Sequence, residues 1–433
     1  MRKGAALAAC ICVAAACSAQ ASTLKTLYSF CETSCQLGVG PVGALVLDSS
    51  GNIFGVASSE TGMGGTGPGV VYELQKPRHG VRKYKVLHTF CSLPDCADGE
   101  YFQTGLIEDV AGNLYGVTWE GGRKGYGTAF ELVRGASGRN WRFRILHAFS
   151  RTANDGGAPA GRLTYDGART GAPYDGVSPL YGTTETGGAF DVGTVYELAP
   201  SGGDWQFTLL HSFAFGTDGA TPLAGVIADA NGNLYGTTLY GGGNGLSPNY
   251  AGTIYELAKS DGGWTETVLY RFCGQAGCTD SANPWAALLM DSAGALYGTA
   301  STFGPGHSGG ASGGAVFRLT PDGGAWDFQV LHGFCARNRR CFDGDTSLSA
   351  VTADAAGNLY GVTAKGGRGG NGVLFRIAPD GSYKLKHDFC DETGCPAGAT
   401  PVGQLSLDGR GRLIGTTVLG GAQNGGTVFS IKP

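Results

Sequence analysis

Three kinds of side chain recur along this chain at spacings that could support chemistry. Aspartates stand at Asp98, Asp155, Asp218, Asp280 and Asp343, one to each of five successive repeats. A ring of carboxylates around one axis could hold Ca²⁺ or a cationic ligand, because hard cations take oxygen ligands. Each also precedes Gly or Ser, as in Asp155-Gly156 and Asp218-Gly219, the pattern of a turn-forming Asp. Histidines recur at His88, His147, His211, His332 and His387, with Tyr28 and Tyr270 in the matching places. They fall in different repeats, too dispersed for one metal site or one acid–base pair, so packing beside the Phe two residues on is expected. Aromatic residues that break the pattern are Tyr101, Phe102, Trp119, Tyr240, Tyr250, Trp285 and Phe303. Aromatic faces near Asp and Asn suit sugar rings, which have apolar faces and hydroxyl edges. The candidate ligand-binding set is therefore Asp98, Tyr101, Trp119, Asp155, Asp218, Tyr240, Asp280, Trp285, Phe303 and Asp343.

No set of residues forms a catalytic signature. A Gly-x-Ser-x-Gly elbow, His-Glu-x-x-His and a phosphate loop are all absent. Two carboxylates for glycoside cleavage could be drawn from Glu100, Glu120, Asp343 and Asp345. Asp229-Ala230-Asn231-Gly232-Asn233 begins like a calcium loop but lacks the later Glu. No metal and no cofactor is expected.

Ten cysteines fall in five close pairs: Cys31 with Cys35, Cys91 with Cys96, Cys273 with Cys278, Cys335 with Cys341, and Cys390 with Cys395. Such spacing suits local disulfides in an oxidising compartment. A zinc site needs four ligands, and each pair is alone in its repeat.

The elements that position these residues come from a repeat. One phrase ends in Asp at Asp48, Asp109, Asp166, Asp229, Asp291, Asp354 and Asp408, at intervals of 61, 57, 63, 62, 63 and 54 residues. After each Asp comes a tight turn, then a phrase such as Leu234-Tyr235-Gly236-Thr237-Thr238. A Gly-rich loop follows, then Gly-Thr-Val/Ile-Tyr-Glu-Leu, as at Gly193 to Leu198, then a strand opening on Trp or Tyr and closing on Phe. Apolar runs this short, with 78 Gly between them, read as strands and turns, and no stretch has a sustained helical period. Four strands in about 60 residues is the size of one propeller blade. The expected fold is all-β, a seven-bladed β-propeller occupying residues 22–433. A parallel β-helix has shorter coils and no tight hairpin in every repeat. The chain opens on a fourth-strand phrase and closes on a third-strand phrase, so residues 24–30 are expected to pair with 427–431 and close the ring. The fourth-to-first and second-to-third loops then share one face, where the long and variable loops lie, and binding is expected there.

Residues 1–21 read as a signal peptide: Arg2 and Lys3, an apolar run from Ala5 to Ala16, and Ala19-Gln20-Ala21 as the cleavage site. A second reading makes Cys17 a lipid anchor. No other segment is apolar enough to span a membrane. A net charge of −4 gives no electrostatic reason to expect nucleic acid.

The Leu-Tyr-Gly-Thr-Thr phrases (Leu180 to Thr184, Leu234 to Thr238), the Gly-Gly loops (Gly187-Gly188, Gly241-Gly242, Gly420-Gly421) and the Gly-Thr-Val-Tyr/Phe phrases (Gly193 to Tyr196, Gly426 to Phe429) carry a resemblance. Together they resemble the Gloeo/Verruco (GloVer) tandem repeat, the unit of bacterial proteins described as choice-of-anchor GloVer-containing. The resemblance covers nearly the whole mature chain. It implies an exported repeat protein, periplasmic or extracellular, and no established activity. Members often carry a C-terminal sorting segment, whereas this sequence runs to Ile431-Lys432-Pro433 without one.

Two functions fit. The first is an exported, non-catalytic binding or scaffold module whose loop face contacts a glycan or a cell-envelope protein. The second is a carbohydrate-active lyase or hydrolase with carboxylates at the channel mouth. An enzyme should gather two or three ionisable residues in one pocket without counterparts in other blades.

Overall fold

The computed structural model describes residues 24–31, 38–58, 68–77, 79–138, 140–243, 251–260, 262–305, 313–336 and 340–433. The signal segment, Cys17, Cys35 and Tyr250 lie outside them. Seven antiparallel sheets follow one another along the chain as the blades of a β-propeller, each built of strands in sequence order. The fourth blade shows the plan: Ile227–Ala228, Leu234–Thr238, Thr253–Ser260 and Gly263–Arg271, from axis to rim. The last sheet takes its outer strand from the other end of the chain. Lys25–Ser29 pairs antiparallel with Thr427–Ile431, Lys25 opposite Ser430 and Ser29 opposite Thr427. The closure expected from the sequence is present.

Each phrase of the repeat has a physical reason. The central Gly of Leu-Tyr-Gly-Thr-Thr lets a third-strand ring lie across the second strand; a Cβ on Gly236 would sit 2.4 Å from the Tyr255 hydroxyl, and one on Gly361 2.4 Å from Phe375 Cζ. The closing Thr meets the opening Thr of the third strand, 2.7 Å apart at Thr184 and Thr194 and 2.8 Å apart at Thr238 and Thr253. In the tight turn, Asp109 Oδ1 accepts from the Ala111 and Asn113 amides, and Oδ2 from the Asn113 side chain. The Tyr115 hydroxyl lies 2.9 Å from Asp109 and 3.0 Å from Glu131. Burial and those two carboxylates push its pKa up.

Blades join through aromatic rings at the rim. His88 stacks on Phe143 of the next blade with centroids 4.3 Å apart, His147 on Phe207 at 4.4 Å, Tyr270 on Phe328 at 3.9 Å and His332 on Tyr383 at 4.0 Å. Each also meets its following Phe edge-on, as expected (His88–Phe90, 4.6 Å). Two blades depart from this rule: in the seventh the place held by Phe143 and Phe207 falls to Leu24, and in the fourth it is taken by Glu266, with one carboxylate oxygen buried and unpartnered. Burial first, then Asp218, raises the Glu266 pKa to about 7, against the opposing effects of His211 and Arg271.

Disulfides join Cys91–Cys96, Cys273–Cys278, Cys335–Cys341 and Cys390–Cys395. Cys31 is also disulfide-bonded. Loops this short restrict the unfolded chain little, and each bridge contributes about 2 kcal/mol by loop entropy. Among the described residues no helix is long and apolar enough to cross a membrane.

Candidate functional site

The loop aspartates are engaged within their own loops. Asp98 is fully buried. It accepts from His88 Nε2 at 3.1 Å, from the Ser92 hydroxyl at 2.7 Å and from the Ser92 and Leu93 amides. Asp155 is held by His147 at 2.9 Å, by the Ser150 hydroxyl and amide, and by the Gly156 amide. Burial pushes the Asp155 carboxyl up, but the hydrogen bonds from His147 and Ser150 outweigh it and hold the pKa below the usual carboxylate value. Asp343 shows the same balance, with His332 and the Cys335 amide as donors. Asp218 accepts from the Ala214 amide and lies 3.3 Å from His211. Asp280 accepts from the Tyr270 hydroxyl at 2.7 Å and from the Gly274 amide. These five carboxylates stand in five separate loops and do not converge.

The place of convergence is the axis. Between the fourth strand of one blade and the inner strand of the next, the chain turns through a left-handed residue: Tyr101, Ala158, Thr221, Asn283, Thr346 and Thr400 all have φ between 55° and 58°. Side chains with a Cβ, and Thr above all, are strained in that conformation. A blade-to-blade hydrogen bond offsets the strain: the Thr221 amide donates to Val192 O and the Thr400 amide to Asn371 O, both at 2.8 Å. The turn sends the next residues along the channel wall, so what stands there is presented to the axis.

Those residues line a cavity of about 500 Å³. Because they lead from the loop face into the inner strands, the cavity lies at the loop-face end of the channel. Nine of the lining residues are Gly or Ala: Gly43, Ala44, Ala160, Gly161, Ala224, Gly225, Ala286, Ala287 and Ala350. Against this background stand Tyr101, Phe102 and Gln103 from the second blade, Arg162 from the third, Trp285 from the fifth and Gln404 from the seventh. The Trp285 side chain is exposed and Phe102 is buried behind the wall. Among the described residues Arg162 is the one charged member of the lining. Its Nε donates to Leu106 O of the preceding blade at 3.0 Å.

Trp119 and Tyr240 pack beside the cavity, against Ala160, Leu223 and Leu239. The Trp119 ring meets Tyr101 edge-on at 5.5 Å, and its Nε1 donates to Glu185 at 2.8 Å. Burial raises the Glu185 pKa in spite of that bond. Phe303 packs instead into the core around Phe272 and Phe317 and is not part of the lining. Of the sequence-derived candidates, then, Tyr101 and Trp285 line one cavity, and Trp119 and Tyr240 flank it.

Among the residues drawn up for glycoside cleavage, Glu100 and Glu120 face each other across an isolated bridge on the loop face. Burial, then the neighbouring Glu100, raises the Glu120 pKa. Asp345 accepts from the Gly313 amide and the Thr346 hydroxyl. Neither glutamate lines the axial cavity. Cys91, Cys96 and Glu100 lie close together, but both sulfurs are held in a disulfide and offer no thiolate to a metal.

Arg162, Gln103 and Gln404 were not among the sequence candidates. The signal was there: counting back four residues from each repeat Asp gives Ala44, Gly105, Arg162, Gly225, Ala287, Ala350 and Gln404, two long polar side chains in a column of Gly and Ala.

Solved structures with similar backbones include a Penicillium chrysogenum α-L-arabinanase complexed with arabinobiose (11% identity, TM-score 0.45, covering 95% of this chain and 98% of that one). An α-L-arabinofuranosidase of Fusarium graminearum in complex with an iminosugar inhibitor is similar at 12% identity and TM-score 0.43, covering 94% and 97%. A glucose dehydrogenase is similar at 12% identity and TM-score 0.44, covering 95% and 99%. No curated protein sequence matches the chain. The Gloeobacter/Verrucomicrobia repeat model matches residues 167–338 and 247–433, which together span more than half of the sequence, and the chain belongs to that repeat family.

Proposed function

We propose that the chain is an exported, non-catalytic binding module whose axial cavity takes part of a glycan from the loop face. One observation carries the reading. The blades repeat almost everywhere, yet the residues that lead into the inner strands differ from blade to blade and gather an exposed Trp285, Tyr101 and the amides of Gln103 and Gln404 around one cavity. An aromatic face with amides about it is what a sugar ring needs. Among the described residues the lining contains no Asp, Glu or His, so it offers no carboxylate or imidazole for general acid–base work. Disulfides in the described loops fit an oxidising, extracytoplasmic location.

A glycan array, followed by calorimetry on any hit, tests this. Replacing Trp285 by Ala is expected to weaken binding roughly tenfold or more while leaving the melting midpoint in place. Undiminished binding by that variant overturns the assignment of the cavity. A second reading, a carbohydrate-active enzyme, is favoured by the Glu100–Glu120 pair alone. Reducing-sugar release that disappears in Glu120→Gln would establish it in place of the first.

A further inference from the structure

Arg162 has no equivalent in the other blades. Its neighbours in register are Ala44, Gly105, Gly225, Ala287, Ala350 and Gln404. Gln404 shows what a long side chain does structurally at this position: its Nε2 donates to Val351 O of the preceding blade at 3.4 Å. Arg162 makes the matching bond to Leu106 O through Nε alone. A stitch between blades needs one donor, and a guanidinium carries five N–H groups in a planar fork. Among the described residues no carboxylate forms an ion pair with Arg162, and none lines the cavity. Burial lowers its pKa, and Tyr165 offsets that only in part. A half-buried cation without a counter-charge costs free energy, and a ligand that brings the charge recovers part of it.

We infer that the cavity is built for an acidic glycan, with a uronate carboxylate on the Arg162 fork and the sugar against the aromatic wall. The inference rests on the glycan reading and adds the ligand's charge. Aromatic and amide lining accounts for a sugar ring; an arginine on the same wall, with Nε on Leu106 O and no carboxylate partner, accounts for a carboxylate, which its remaining N–H groups can meet with two parallel hydrogen bonds. The small residues around it leave the space empty of protein side chains.

The test is calorimetry of the whole mature chain with short oligomers of galacturonate, glucuronate and mannuronate, each beside its neutral methyl ester. At least one acid is expected to bind roughly ten- to hundredfold more tightly than its ester. Arg162→Gln copies Gln404, so it should keep the stitch to Leu106 O and the melting midpoint. It is expected to abolish the preference for the acid, so that acid and ester bind with equal affinity. Equal binding of acid and ester by the wild type overturns the charge assignment and leaves the glycan reading standing. A preference that survives in Arg162→Gln overturns the role of Arg162. Binding of polyglutamate through Arg162, with no sugar bound, overturns the glycan and keeps the anion site. If neither sugar nor polyglutamate binds, both readings fall.

Discussion

The rim of this propeller and its axis follow opposite rules. At the rim the same device is used again and again: a His or Tyr of the fourth strand bonds the aspartate of the following loop and stacks on a ring of the next blade. His88 with Asp98, His147 with Asp155, Tyr270 with Asp280 and His332 with Asp343 are copies of one another. At the axis no two blades present the same pair: Thr104-Gly105, Gly161-Arg162, Ala286-Ala287 and Gly403-Gln404 occupy the same places. A residue that repeats with the blade solves a problem every blade has, which is packing. A residue that stands alone against a repeating background answers to something the ring as a whole does. Recurrence of an ionisable group in a repeat protein is therefore evidence for structure, and its singularity is evidence for a site.

The comparison can be broken most severely at the seam, where the rim depends on a strand from the far end of the chain. Lys25–Ser29 completes the seventh blade, Tyr28 stacks on Tyr84 at 5.1 Å, and Phe30 is buried. Removing residues 22–31 exposes the edge of Thr427–Ile431 and uncovers that core. The unfolding midpoint is expected to fall by many degrees, a larger loss than any single substitution at rim or axis should cause. A midpoint equal to that of the parent chain would show that the seam does not hold the ring.

A narrower cut separates the two regions. Asp98→Ala leaves His88, the Ser92 hydroxyl and two amides without their acceptor in a buried loop. The loss should be about 3 kcal/mol, read by denaturant unfolding. Affinity for a ligand of the axial cavity should not change. Lost affinity with unchanged stability would reverse the roles assigned to rim and axis.

The blade count, the strand order and the seam were all legible in the sequence, because a tandem repeat states its own period seven times and its phase at each end. The close packing behind the phrases was not: that Gly236 is required by the Tyr255 ring above it, and Gly361 by Phe375, emerges only once the second and third strands are placed side by side. The site was legible only in part. Trp285 and Tyr101 stood out as aromatic residues that break the pattern. The aspartates stood out for the opposite reason, their regularity, and the Gly or Ser after each already marked them as turn-forming residues. Arg162 was hidden because one basic residue among 31 carries no signal until the inner strands are aligned in register.

Glu266 gives the finest test, because it is a singular residue at the rim, where the rule predicts repetition. It stands where five other blades place the ring that stacks on His or Tyr, and its carboxyl is held at about 7 against an ordinary 4.5. A carboxyl whose pKa is raised by folding binds its proton more tightly in the native state. Its contribution to stability is then fully present below about 4.5 and is lost as pH rises through about 7. The loss at pH 8 is on the order of 2 kcal/mol, allowing for a side chain that is only partly buried. Glu266→Phe should remove this slope and supply His211 with the ring that His88 finds in Phe143. The variant is expected to be more stable than the parent at pH 8 and close to it at pH 4.5, measured by denaturant midpoints at both values. Should it instead be less stable at both, the His211–Asp218–Glu266 group is a working part of the fourth blade, and singularity at the rim would carry the same meaning that it carries at the axis.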